Sequence, residues 1–246
     1  MRAVKVACSG SLLRGGPWDH RQGYSGAILA EIVAVAAALI CIDPGHGTAA
    51  SVGSRLEPIG PGSSVTKIRD GGGAAGEAAV ALAIARRTAA LLRAQGYAVV
   101  LTRTADGYRG GNADRARTCN RRHAALMLRI HADGSTDPSQ HGASTLVPAS
   151  RTGWTDDIYA ASGRAGRLVQ ATLVAATGAL DRGVVERSDL TGFNWADVPA
   201  VLVETGFLTI PGERARLQSA SYQLRVARGL AAGVRAFVGR PPPAGG

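Results

Sequence analysis

The 246 residues carry 28 Lys and Arg against 18 Asp and Glu, a formal net charge of +10, with 46% hydrophobic and only 4% aromatic residues. This is enough apolar material for one sizeable core in one domain, and no stretch reaches the ~20 uninterrupted apolar residues of a membrane span. The basic balance fits an acidic polymer partner or the arginine-rich composition of a GC-rich genome. No basic run is interleaved with aromatics, so nucleic acid is not supported as a partner.

A core this poor in aromatics is built from Ala, Val, Leu and Ile, which suits a parallel α/β sheet buried on both faces. In chain order, residues 1–38 read as an N-terminal extension. Their first part is polar and carries Arg2, Lys5, Arg14 and Arg21; Ala27–Leu39 is apolar but interrupted by Glu31. A secretory signal, a helix packed on the domain and a mis-assigned start all remain open for it. Leu39–Asp43 reads as a strand stopped by Pro44-Gly45. Residues 47–76 read as a long Gly-, Pro- and Ser-rich loop, a length that in a compact domain marks function or mobility. Helical spacing then covers Ala74–Gln95, with Glu77, Val80, Ala81, Ile84, Thr88 and Leu91 on one face.

Tyr97–Thr102 reads as a second strand, followed by a helix over Ala113–Ala125 with Asn112 as its N-cap. Leu126–Ile130 is a third strand and Ala143–Val147 a further one. Asp156–Gly178 reads as a helix, residues 183–197 as irregular, and Val198–Val203 as the last strand. Two closing helices, Gly212–Leu217 and Ser221–Val238, precede a tail over 239–246 that is expected to be disordered. Alternation of strands and helices predicts a single α/β domain over 39–238, with a mostly parallel twisted sheet, helices on both faces and the site at the carboxyl ends of the strands.

Chemistry-bearing residues cluster at those ends. His46 follows Asp43-Pro-Gly45, His131 follows Leu126–Ile130, and Glu204 closes Ala200-Val-Leu-Val203. Glu77 opens the helix after the first strand. Two His and a Glu are a set that zinc uses for hydrolysis, and a further carboxylate is what such a site needs to move the proton of water. Taken singly, each has a plain alternative: a turn histidine, a histidine paired with Asp133, a helix-dipole Glu, a buried Glu paired with Arg. Asp133 is near enough in sequence to His131 to act as its outer acceptor, and Glu57 is the other acidic candidate in the loop before Asp70. The three cysteines, Cys8, Cys41 and Cys119, form no C-x-x-C pair. A thiolate zinc site is therefore not supported, and buried, inert thiols are expected.

Together the motifs Ile42-Asp-Pro-Gly-His-Gly47, Glu77, Leu101-Thr-Arg103, Asp114-Arg-Ala-Arg-Thr-Cys-Asn120, Ile130-His-Ala-Asp133 and Pro199-Ala-Val-Leu-Val-Glu-Thr-Gly-Phe207 occur in this order. The chain resembles the zinc-dependent N-acetylmuramoyl-L-alanine amidases of bacterial cell walls (the amidase type 3 family) over residues 39–238. The resemblance implies one Zn²⁺ held by His46, Glu77 and His131, with Glu204 as the catalytic carboxylate. It also implies cleavage of the amide between N-acetylmuramic acid and L-alanine in peptidoglycan, by a monomer in the cell envelope or secreted. Arg187, Asp189 and Asn194, just before the Glu204 strand, are candidates for the substrate cleft. Two positions depart from the pattern: Thr48, where many members have a second Gly, and Arg129, where a small Ser is frequent. A zinc exopeptidase-like hydrolase and a non-catalytic wall-binding or regulatory domain are the competing readings.

Overall fold

The computed structural model describes residues 37–241. The possible targeting segment at the N-terminus, apart from its last residues, lies outside them. A six-stranded sheet runs in the order β4-β1-β5-β8-β6-β7. Its strands are β1 (Leu39–Pro44), β4 (Ala98–Leu101), β5 (Leu126–Asp133), β6 (Ala143–Pro148), β7 (Asp181–Arg187) and β8 (Ala200–Phe207). All pairings are parallel except β6 with β8. A small antiparallel hairpin, β2 (Leu56–Pro58) and β3 (Thr66–Ile68), stands apart from the sheet.

Side-chain alternation explains why the central strands read as continuous apolar runs. On one face Ile40, Ile42, Leu128, Ile130, Val201 and Val203 pack with Val80, Ile84 and Leu92 of α2 (Glu77–Ala94). Val169 and Leu173 of α4 (Tyr159–Thr177) and Val226, Leu230 and Val234 of α7 (Ala220–Val238) complete that layer. On the other face Cys41, Met127, Ala200 and Leu202 pack with Ala116 and Cys119 of α3 (Asn112–Arg121) and Phe193 of α5 (Thr191–Asn194). Both faces are thus buried, as a parallel sheet requires. The remaining helices are α1 (Ala50–Gly53) and α6 (Pro211–Gln218).

Several expectations need correction. The stretch 47–76 is not one loop, because it contains α1 and the β2–β3 hairpin. Residues 183–197 are not irregular, because they hold most of β7 and all of α5. β7 is an edge strand with most of its side chains exposed, and edge strands carry charges that hide the apolar pattern. The N-cap of α3 is Gly111, not Asn112, and the Gly111 N–H donates to Asp114. Cys41 and Cys119 are not free thiols but form a disulfide with Cα atoms 5.5 Å apart. The odd count concealed this pair, which spans 78 positions in sequence and joins β1 to α3 across the second core layer. The start of the expected tail is ordered, since Gly239 accepts a hydrogen bond from the Tyr97 hydroxyl and Pro241 is buried.

Candidate metal centre and substrate cavity

The carboxyl ends of β1, β5 and β8 converge with the first turn of α2. His131 and Glu204 are direct register partners on β5 and β8, so their side chains leave the same face of the sheet side by side. His46 lies two residues beyond β1 with φ at +56°, a left-handed conformation that costs a non-glycine residue about 1–2 kcal/mol. The surrounding structure holds it there. Arg115 donates to the His46 carbonyl at 2.7 Å, Arg103 donates to the Gly45 carbonyl at 2.8 Å, and the N–H groups of Gly107 and Tyr108 both donate to the Gly47 carbonyl.

Glu77 Oε1 is 3.1 Å from His46 Nε2 and 3.0 Å from His131 Nδ1, and all three donor atoms lie within 4.8 Å of one another. Neighbouring ligands around a tetrahedral zinc with bonds of about 2.0–2.1 Å are about 3.3 Å apart, close to the 3.1 and 3.0 Å that separate Glu77 from the two histidines. Burial favours neutral His46, but the bonds to Asp70 and Glu77 outweigh it and push its pKa up to about 9. Burial likewise opposes the Glu77 carboxylate, yet His131 and His46 hold its pKa down to about 2. This is a site of surplus negative charge that favours a cation. Nε2 of His131 is buried with no hydrogen-bond partner among the described residues, as is Oε2 of Glu204. An N/N/O donor set with orphaned polar atoms beside it fits Zn²⁺.

Two glycines let the backbone close on this site. A Cβ on Gly45 would stand 2.4 Å from Cε1 of His131. One on Gly73, which also has φ at +68°, would stand 2.2 Å from Glu77 Oε2 and 2.6 Å from His46 Nε2.

Sequence reasoning missed Asp70. Its Oδ1 takes the second ring nitrogen of His46 at 2.6 Å, while the carboxylate also accepts the N–H groups of Thr48 and Gly72. It is the outer acceptor expected of a metal-bound histidine, but it sits in a Gly-rich segment with no periodicity to mark it. Asp133, the acceptor expected for His131, instead takes the N–H of Gly134. Glu57 is also elsewhere, accepting the N–H groups of Asn112 and Ala113 at the start of α3.

Glu204 opens onto a cavity of about 400 Å³ lined also by His46, His131, Arg129, Arg187 and Asp189. Burial raises the pKa of Glu204 well above the usual carboxylate range, and the charges of Asp133 and Glu77 add to the effect. Of the substrate candidates, Arg187 and Asp189 reach the cavity, locked in a two-pronged pair at 2.8 and 2.9 Å. Lys67 of the hairpin also donates to Asp189. Asn194 is not among the lining residues; buried in α5, it donates to the Ser188 carbonyl and braces that rim.

A family model described as N-acetylmuramoyl-L-alanine amidase matches residues 40–236. The chain belongs to this amidase family. It is 28% identical over 237 residues to AmiC of Neisseria meningitidis serogroup B, covering 81% of this chain and 52% of AmiC. It therefore spans about half of that relative. It is also 28% identical over 212 residues to an N-acetylmuramoyl-L-alanine amidase of Mycobacterium tuberculosis, covering 83% of this chain and 88% of the relative. Among solved structures it is similar to the amidase Ami1 of Mycobacterium smegmatis, with a TM-score of 0.73 at 27% identity over 82% of this chain and 97% of that one.

Proposed function

We propose that this protein is a zinc-dependent N-acetylmuramoyl-L-alanine amidase, hydrolysing the amide between N-acetylmuramic acid and L-alanine in peptidoglycan. The observation that carries the reading is the juxtaposition of the His46–Glu77–His131 donor set with the orphaned carboxylate of Glu204 at one edge of one cavity. His46, Glu77 and His131 would hold the zinc, which would supply Lewis acidity toward water and the scissile carbonyl. Glu204 takes the proton of the attacking water and delivers it to the departing alanine nitrogen as the C–N bond breaks. Burial raises its pKa, which favours the half of that transfer that returns the proton. Asp70 fixes the orientation of His46, and the buried guanidinium groups of Arg103 and Arg115 fix the backbone that carries it.

The Cys41–Cys119 disulfide supports a location outside the reducing cytosol, in the cell envelope or beyond it, where the wall polymer lies. We read the chain as acting there as a monomer. Digestion of purified peptidoglycan by the zinc-loaded protein tests the function. Stem peptides with a free L-alanine amino group, together with intact glycan strands, are the expected products. Release of single amino acids from ordinary peptides would replace the reading with an exopeptidase, and wall binding without cleavage would replace it with a non-catalytic domain.

A further inference from the structure

The floor of the cavity holds a charge that the proposed mechanism leaves unused. Arg129 is only 3% exposed and lies in register between Asp43 of β1 and Leu202 of β8, one row below His131 and Glu204 on the same face. Its Nε donates to Asp43 Oδ2 at 2.8 Å and its Nη2 to the Asn112 side-chain oxygen. Nη1 makes no hydrogen bond among the described residues. It lies against Gly192, where a Cβ would stand 2.0 Å from it. A glycine there leaves room for the guanidinium at the cavity wall.

The local charges do not balance. Asp43 is fully buried and serves two guanidinium groups, those of Arg115 and Arg129. The other acceptors of Arg115 are neutral: the carbonyls of Pro44 and His46 and the hydroxyl of Thr48. One positive charge is therefore left over in the buried cluster, where an unpaired charge is costly. Asp189 on the cavity wall likewise faces two cations, Arg187 and Lys67.

We propose that Arg129 anchors a carboxylate on the peptide arm of the substrate, a proposal that rests on the amidase reading. Two residues of strand separate Arg129 from His131, about 7 Å. Arg129 thus stands one sheet row from His131 and Glu204, and the acidic group nearest the scissile bond on the peptide arm is the free α-carboxylate of a γ-linked glutamate at the second stem position.

The test uses two synthetic compounds, N-acetylmuramoyl-L-alanyl-γ-D-glutamyl-L-lysine with that α-carboxylate free and the same compound with it amidated. The zinc-loaded full chain is expected to prefer the acid by about 10- to 100-fold in kcat/KM, mostly through KM, the range of a hydrogen bond to a charged group. The preference collapses toward one in Arg129→Gln and survives in part in Arg129→Lys. Calorimetric binding of both compounds to the zinc-loaded Glu204→Gln chain gives the same comparison without turnover. Equal binding of acid and amide there, with Arg129 in place, would overturn the proposal whether or not the Arg129 variants fold. Preferential binding of the acid without hydrolysis by the parent would keep the anchor and discard the amidase reading.

Discussion

Asp70 Oδ1 stands 2.6 Å from Nδ1 of His46, and this contact turns the imidazole so that its Nε2 meets Glu77. The pair links a Gly-rich segment to the metal centre and fixes the ring nitrogen left for the cation. Removing such an outer acceptor costs about 10- to 100-fold in metal affinity. Asp70→Asn is expected to lose zinc by that factor in competition with a chromophoric chelator while its fold persists. Unchanged affinity would reduce Asp70 to a loop residue.

Acid stability reports on Asp43. Burial alone would raise its pKa, but Arg115 and Arg129, helped by the Thr102 hydroxyl, hold it below the usual carboxylate range. A carboxyl whose folded pKa is depressed contributes stability that is complete above its unfolded pKa of about 4 and is lost as pH falls through the lower folded value. Asp43→Asn is expected to cost about 3–5 kcal/mol at pH 7, because two guanidinium groups lose their buried partner. Urea unfolding at pH 7 and pH 3 should show this gap narrowing in acid. Zinc release in acid affects both proteins, so the difference between them isolates Asp43.

The Cys41–Cys119 disulfide closes a loop of 78 positions. A loop of that length corresponds to about 4 kcal/mol in the chain-entropy account, with 2–4 kcal/mol typical. Cys41→Ser is expected to lower the unfolding midpoint accordingly while leaving the metal centre assembled. A variant as stable as the parent, under oxidising conditions, would remove the disulfide from the account of stability.

How much of this was legible in the sequence follows from where each signal resides. Strands buried on both faces announce themselves as apolar runs, and their order alone predicts that His46, His131 and Glu204 meet at one sheet edge. β7 escaped because an exposed edge strand such as Asp181–Arg187 carries charge instead of alternation. Asp70, Arg115 and Asp43 act through contacts 24 to 72 positions apart, and no local period encodes those. The disulfide was hidden for the same reason: Cys41 and Cys119 meet only once β1 and α3 are packed.

The central claim, that three residues hold one zinc while Glu204 carries the proton, is tested most directly by the Glu204→Gln variant. Zinc content by elemental analysis should remain at one per chain, while hydrolysis of a muramoyl peptide falls by about 10²–10⁴, the size of a general acid–base contribution. A Glu204→Gln protein that retains its zinc and cleaves as fast as the parent would contradict the account.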